Sequence, residues 1–299
     1  MRVEVITVPY RYDEYDEGLG AGPGALIDAG IAARLVRAGH EVGEVRTAHL
    51  PEEEREPGQL GVNIGRLGAE TAALVAAARR QGIAVFVLAG DDTASIGVAA
   101  GLELAHGVDA RIGVVWLDAH GDFNTPETSY SGILAGMPVA ILAGLAAPRW
   151  RAAAGLSTPI PPSRMLIAGV RELDDQESTL LKVHRVSVVT TDQIRDGTAL
   201  AEAVSRLADQ SDALCLHVDL DVLDPHLVPS ASTPSQHGLE IPQAAAAMAT
   251  VLATGKVAVL CLAGLNPGGG DRGRRSIATA LSLIEQALPA WAATPSPAR

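Results

Sequence analysis

Short runs of β-branched residues alternate with longer segments rich in alanine and leucine from one end of this 299-residue chain to the other. Strands that alternate with helices form a parallel sheet, because each helix returns the chain to the edge where the previous strand began. The alternation therefore predicts an α/β fold. The eight expected strands are Val3–Val8, Glu41–Thr47, Ala84–Leu88, Ile112–Leu117, Met165–Ala168, Val186–Thr190, Leu214–Val218 and Val257–Leu262.

Segments between the strands predict the helices that cover the sheet. Ile64–Arg80, Ala199–Ala208 and Ile277–Leu288 carry apolar residues at helical spacing. The uncharged stretch Thr128–Pro148 is long enough to cross a bilayer, but glycine and proline interrupt it, which favours a buried helix. The tail Pro289–Arg299, with its proline, alanine, threonine and serine content, is expected to fray.

Composition and charge limit the kinds of partner. Hydrophobic residues make up 47% of the chain and charged residues 19%, a balance that supports a large buried core. The formal net charge of −12 argues against a nucleic-acid partner, which would need an excess of basic side chains. Small molecules or cations are the expected ligands.

The chain shows no linker rich in serine and glycine, no charge block and no internal repeat, which predicts a single domain over residues 1–299. Cys215 and Cys261 each lie inside an apolar strand-like run and are expected to be buried thiols rather than a disulfide. The first residues, Met1–Val8, lack the pattern of a secretory signal. These features predict a soluble cytoplasmic protein without membrane contact.

Acidic residues follow two of the predicted strands at the point where each strand ends. Asp118, His120 and Asp122 follow the fourth strand, and Asp219 and Asp221 follow the seventh. Residues two apart in a strand point the same way, and the carboxyl ends of parallel strands share one edge of the sheet. The two clusters are therefore expected to meet.

Carboxylates crowded in this way repel one another unless a cation neutralises them. Oxygen ligands with an imidazole favour Mn²⁺ over Zn²⁺. Two ions about 3.5–4 Å apart would share a water, lower its pKa and present hydroxide to an electrophilic carbon, so the pattern predicts hydrolysis. A single aspartate after a strand is as often a helix cap or turn residue, but two such clusters together favour a metal site.

The segments that carry these residues resemble the signatures of the arginase (ureohydrolase) family, which includes arginases and agmatinases. They are residues 116–126, 131–132 and 217–225, with Asn266-Pro267 near the end of the chain. The resemblance implies a three-layer α/β/α fold around an eight-stranded parallel sheet and a site for two Mn²⁺ ions. It also implies hydrolysis of a guanidino carbon–nitrogen bond and a homo-oligomer, a trimer or hexamer.

By position, the resemblance also implies residue roles. Asp122 and His120 would be catalytic. The metal ligands would be Asp92, Asp118, His120, Asp122, Asp219 and Asp221. The residues on the substrate side would be Asn124, Ser131, Asp174, Glu177 and Thr233.

One metal-ligand position departs from the family. Asp92 stands where the family has histidine, and the neighbouring Asp91 is a competing ligand. With Asp92 the site would hold five carboxylates and one imidazole. Such a donor set favours the hard cations Mn²⁺ and Mg²⁺ still more and makes a bound water less acidic, so activity would favour alkaline pH.

The substrate side departs as well. Ala135 replaces a histidine that relays protons in arginases, Gly264 replaces a glutamate that would pair with a guanidinium, and Ile133 replaces a polar residue. The first change favours a modified guanidine, such as an N-hydroxylated one, whose leaving group needs less help from a proton relay. The other two leave open a different substrate, an amide, formimino or ureido compound. A catalytically silent metal-binding protein is the third alternative.

Overall fold

The computed structural model describes residues 1–292, 296 and 297. All eight predicted strands are present, and their ends differ from the prediction by at most two residues. They are β1 (Arg2–Val8), β2 (Glu41–Thr47), β3 (Ala84–Ala89), β4 (Ile112–Leu117), β5 (Met165–Val170), β6 (Ser187–Thr190), β7 (Ala213–Asp219) and β8 (Val257–Ala263).

The eight strands form one sheet in the order β2-β1-β3-β8-β7-β4-β5-β6, and every pairing is parallel. The central strands β3, β8, β7 and β4 are buried along their whole length. Strands covered on both faces are expected to be continuously apolar, and these are apolar except at the end of β7, which contains His217 and Asp219. All the carboxyl ends therefore lie along one edge of the sheet.

Helices cover both faces. Alternate residues of β3 belong to different cores, with Val85 and Val87 on one face and Phe86 and Leu88 on the other, because strand side chains alternate. This gives the expected three-layer α/β/α architecture. The helices in the described residues are α1 (Gly22–Asp28), α2 (Ile31–Arg37), α3 (Leu60–Arg80), α4 (Ser95–His106), α5 (Pro138–Leu142), α6 (Pro148–Ala153), α7 (Asp175–His184), α8 (Thr191–Asp196), α9 (Thr198–Asp209), α10 (Ile241–Leu252) and α11 (Arg274–Ala287).

The expectation of one buried helix over Thr128–Pro148 is wrong, and the expectation of a frayed tail is wrong at its first residues. Only part of Thr128–Pro148 is helical: the segment begins as an exposed loop, and its longest helix is α5. Gly132 and Gly144 adopt positive φ values, which interrupts the helix on either side of α5. In the tail, Trp291 is buried and donates from Nε1 to the carbonyl of Val257 at 3.0 Å, while residues 293–295 and 298–299 lie outside the described residues.

Both cysteines are buried free thiols, as predicted. Within the described residues, no helix taken alone has the length and apolar character needed to cross a bilayer. One bent pair, Gly18–Asp28 with Ile31–Arg37, reaches that length and composition only when the two helices are counted together, across a bend of 48°.

Candidate active site

A cleft of about 330 Å³ opens at the carboxyl edge of the sheet. Every residue that the sequence predicts for the site lies along its wall, and the described residues that line it include neither lysine nor arginine. The predicted residues found there are Asp92, Asp118, His120, Asp122, Asn124, Ser131, Asp174, Glu177, Asp219, Asp221 and Thr233.

Strand pairing brings the two acidic clusters together. β4 and β7 are neighbours in register, with Leu117 opposite Val218, so Asp118 and Asp219 follow paired positions. β3 lies one strand beyond, across β8, and delivers Asp92 to the same edge. Residues far apart in sequence therefore share one cleft because their strands end together.

His120 lies between two of the carboxylates. Its Nδ1 is 3.3 Å from Asp118 Oδ1 and 3.2 Å from Asp221 Oδ2. Burial lowers the pKa of His120, but the hydrogen bonds with Asp118 and Asp221 outweigh it and raise the pKa to about 12. These three side chains each offer a ligand atom, all within 4.8 Å of one another, as a divalent cation would require.

The second possible ligand group contains a histidine that the sequence analysis missed. His217 on β7 lies with Asp92 and Asp118, again with ligand atoms within 4.8 Å. The His217 Nε2 is 2.8 Å from Asp92 Oδ1, and the ring is fully buried. One signal was present in the sequence: His217 precedes Asp219 by two residues, so strand alternation places it on the same side.

The remaining carboxylates are also buried, and their pKa values rise. Burial, followed by repulsion from neighbouring aspartates, raises the pKa of Asp92, Asp122, Asp219 and Asp221 above the ordinary value. A bound cation would reverse this cost, because it favours the charged form of each carboxyl group. The donor set of five buried carboxylates and an imidazole therefore fits a hard divalent metal.

Asp91 and Asp92 have different surroundings. Asp91 accepts hydrogen bonds from the backbone N–H groups of Tyr12 at 2.8 Å and Thr93 at 2.9 Å, and also from the Thr93 hydroxyl. It caps the short 3₁₀ helix Asp92–Ala94 and does not line the cleft. Of the two competing candidates, Asp92 is the one that faces the site.

Asp122 has a backbone that its neighbours hold in place. Its φ of 46° lies in the left-handed region, which is uncommon for a residue with a side chain. Its carbonyl accepts the N–H groups of Val139 at 3.0 Å and Ala140 at 3.4 Å, at the start of α5. These bonds fix the direction in which the Asp122 carboxylate leaves the chain.

The substrate side of the cleft contains a chain of polar contacts. Asn124 donates from Nδ2 to Asp174 Oδ2 at 3.2 Å. Glu177 accepts the N–H groups of Phe123 at 2.8 Å and Asp174 at 3.3 Å, and so completes the capping box of α7. Burial raises the pKa of Glu177 to about 7. Glu177 therefore has a structural role in addition to its place on the wall.

Thr233 and Ser131 differ in what their hydroxyl groups contact. The Thr233 hydroxyl donates to Asp221 Oδ2 at 3.0 Å, so it orients a predicted metal ligand. Ser131 lies on the exposed loop and accepts the N–H of Ile133 at 3.2 Å. Ile133 and Ala135 line the wall beside it, which makes this part of the cleft apolar.

Gly264 follows β8 and lies beside Asp219. Its φ is +87°, and a Cβ at this position would lie 2.8 Å from Asp219 Cγ. A side chain at residue 264 would therefore strike a carboxylate of the site. The structure gives a steric reason for glycine at the position where the resemblance predicts glutamate.

Arg171, directly after β5, is a further residue that the sequence analysis did not assign. Its guanidinium donates to main-chain carbonyls of residues 221, 222, 223, 235 and 236, the shortest being 2.7 Å to Asp221. It thereby holds the loop that carries Asp221 against the segment that follows Thr233. Its neighbour Glu172 lines the cleft.

An acidic cleft at the carboxyl edge of a parallel sheet, with side chains that could hold a metal ion, places this molecule among α/β proteins with a candidate active site at the strand ends. Comparison with known proteins narrows the class. The family model described as "Arginase family" matches residues 1–289. An arginase of Bacillus caldovelox is 32% identical over 246 residues, which covers 79% of this chain and 81% of that protein.

Solved structures agree with the sequence comparison. An arginase from Bacillus subtilis superimposes with a TM-score of 0.84 at 28% identity, over 96% of this chain and 98% of that one. A formimidoylglutamase from Bacillus subtilis shares the fold, with a TM-score of 0.74 at 18% identity over 98% of this chain and 88% of that one. The chain belongs to the arginase family, and its relatives support a hydrolase that acts on carbon–nitrogen bonds.

Proposed function

We propose that this protein is a manganese-dependent amidinohydrolase that cleaves a guanidino carbon–nitrogen bond of arginine or a modified guanidino compound. The observation that carries the proposal is the meeting of five buried carboxylates and His120 in one cleft, whose wall has no lysine or arginine among the residues that the structure describes. Bound divalent cations would neutralise this wall and keep the carboxylates ionised, and the cleft also has space for a small organic molecule.

Divalent metal held by these residues would supply a water-derived nucleophile near neutral pH. Asp92, Asp118, His120, Asp122, Asp219 and Asp221 are the proposed ligands. The Thr233 hydroxyl and the backbone N–H groups of residues 119, 120 and 221 hold three of these carboxylates by hydrogen bonds. These hydrogen bonds therefore fix the orientation of three proposed metal ligands.

We assign Asp122 the proton transfer of the reaction. Its carboxylate lines the cleft, where it can accept a proton and pass it to the departing nitrogen. Because Ala135 offers no second proton carrier, a substrate with a more acidic leaving group, such as an N-hydroxyguanidine, suits the site. Asn124, Asp174 and Glu177 would bind the polar end of the substrate beyond the metal ligands.

A second candidate function is favoured by the packing of Gly264 against Asp219. Because this contact leaves no space for a side chain at residue 264, no carboxylate reaches a guanidinium from that position. A formimino, ureido or amide compound needs no such ion pair. The same metal ligands would serve its hydrolysis.

The test is a substrate panel assayed with the Mn²⁺-loaded protein. It contains arginine, N-hydroxyarginine, agmatine and guanidino acids, and urea or hydroxyurea is measured. Product from any member supports the amidinohydrolase. Release of ammonia or amine without urea from formimino, ureido or amide compounds supports the second candidate. A protein that binds Mn²⁺ but turns over no compound would support the silent metal-binding alternative.

The proposal extends to assembly and location. We expect a homo-oligomer, a trimer or hexamer, by resemblance to the family, and a cytoplasmic enzyme whose buried thiols stay reduced. Sedimentation of the full chain would measure the first, and fractionation of the producing cells the second.

A further inference from the structure

His217 is a buried imidazole that the proposed ligand set does not use. It lies on β7 between Trp116 of β4 and Cys261 of β8, its partners in register. The ring stacks on the Trp116 indole with centroids 3.7 Å apart and an angle of 13° between the planes. The orientation of the imidazole is therefore set by packing in the sheet.

The hydrogen bond of His217 has a defined direction. Its Nε2 lies 2.8 Å from Asp92 Oδ1, and an Asp92 that binds a cation is ionised and can only accept hydrogen bonds. The Nδ1 is buried and has no hydrogen-bond partner among the described residues. The single hydrogen of a neutral imidazole therefore belongs on Nε2, where it is donated to Asp92.

Asp92 lines the cleft, whereas His217 does not. A carboxylate differs from an imidazole in having two equivalent oxygens, either of which can bind a metal. A donor fixed on one oxygen removes this freedom and leaves the other as the ligand atom. Hydrogen-bond partners of this kind orient metal ligands in many proteins.

We propose that His217 is the positioning residue for Asp92: it holds Oδ1 so that Oδ2 is presented to a metal in the cleft. The adjacent ring acts in parallel, because the Trp116 Nε1 donates to Asp118 Oδ2 at 3.0 Å. Two stacked rings thus hold two carboxylates from the floor of the cleft. This inference rests on the proposed function, since it needs Asp92 to bind metal.

The test measures Mn²⁺ binding by calorimetry on the full chain after treatment with a chelator. His217→Leu removes the donor, and we expect a loss of about 10–100-fold in affinity at one site. His217→Gln places an amide N–H near the position of Nε2 but offers no imidazole ligand, so it should retain most of the affinity. His217→Met replaces the leucine variant if that one does not fold.

Two further variants separate positioning from general destabilisation. His40 is another buried histidine, with its Nε2 3.2 Å from the carbonyl of Leu288. It directly precedes β2 and so lies at the amino ends of the strands, away from the cleft. His40→Leu should lower the melting temperature without changing Mn²⁺ affinity. In an Asp92→Asn background, His217→Leu should cause little further loss of affinity, because its effect passes through Asp92.

Three results would overturn the inference alone. The first is unchanged Mn²⁺ affinity in His217→Leu. The second is an equal loss of Mn²⁺ affinity in His217→Gln and His217→Leu, which would make the imidazole itself a ligand. The third is an equally large loss when His217→Leu is added to Asp92→Asn. A wild-type protein that binds no Mn²⁺ would overturn the proposed function as well, so the two failures are distinguishable.

Discussion

Gly264 packs against the carboxylate of Asp219, and a Cβ at residue 264 would lie 2.8 Å from Asp219 Cγ. Asp219 is itself held by the backbone N–H of Asp221, which donates to its Oδ1 at 2.7 Å. The carboxylate therefore has no room to move aside without losing this bond. Glycine at residue 264 and the orientation of Asp219 depend on each other.

Gly264→Ala should weaken divalent-metal binding and destabilise the fold. The positive φ alone costs roughly 1–3 kcal/mol for a residue with a side chain, before the contact with Asp219 is counted. Calorimetric Mn²⁺ titration and urea unfolding measure the two effects. Gly30→Ala is the matched control: the φ of Gly30 is +82° and a Cβ there would meet nothing within 4 Å, so this change should lower stability only. Metal affinity equal to wild type in Gly264→Ala would contradict the prediction.

Asp91→Asn and Asp92→Asn should have opposite effects. Asp91 caps a helix and binds backbone N–H groups, so its replacement should lower stability by about 1 kcal/mol and leave Mn²⁺ affinity nearly unchanged. Asp92→Asn should weaken Mn²⁺ binding and, because it removes a buried charge, keep or raise the stability of the chelator-treated protein. Loss of affinity in Asp91→Asn with normal binding in Asp92→Asn would reverse the assignment.

The stabilising effect of metal should grow with pH. Glu177, whose pKa rises from 4.5 to about 7, and the raised site aspartates bind more protons in the folded than in the unfolded chain. Stability of chelator-treated protein should therefore fall as pH rises from 4.5 to 7, by up to about 1.4 kcal/mol per pH unit for each such group. A metal must displace the protons of the aspartates that bind it, so it binds more tightly at higher pH.

The measurement is urea unfolding at pH 5, 6, 7 and 8, with chelator and with saturating Mn²⁺. The difference in unfolding free energy between the Mn²⁺-loaded and the chelator-treated protein should increase with pH. Asp219→Asn should reduce that increase. A difference that stays constant across the range would show that these carboxyl groups do not exchange protons for metal.

Arg171→Met should destabilise the protein by roughly 1.5–3 kcal/mol, because it leaves carbonyls of two loops without a charged donor. Arg2→Met is the control, since Arg2 makes an exposed ion pair with Glu41 and should change stability by less than about 0.5 kcal/mol. Chemical unfolding gives both values. Equal stability of the two variants would show that Arg171 does not hold these loops together.

The sequence by itself determined the eight strands and their near-exact ends, because apolar periodicity is a local property of the chain. It also determined that Asp118 and Asp219 meet, because residues that directly follow parallel strands share an edge. The sequence did not determine the structure of Thr128–Pro148, because its apolar composition suits both a loop that lines a cleft and a buried helix.

Only the tertiary structure decided which groups touch within that edge. His217 reaches Asp92, Arg171 spans two loops and Gly264 meets Asp219 because of the strand order β3-β8-β7-β4 and the turns beyond it. These contacts join residues tens to more than a hundred positions apart. Their geometry depends on which strands are neighbours and on side-chain directions, neither of which local composition encodes.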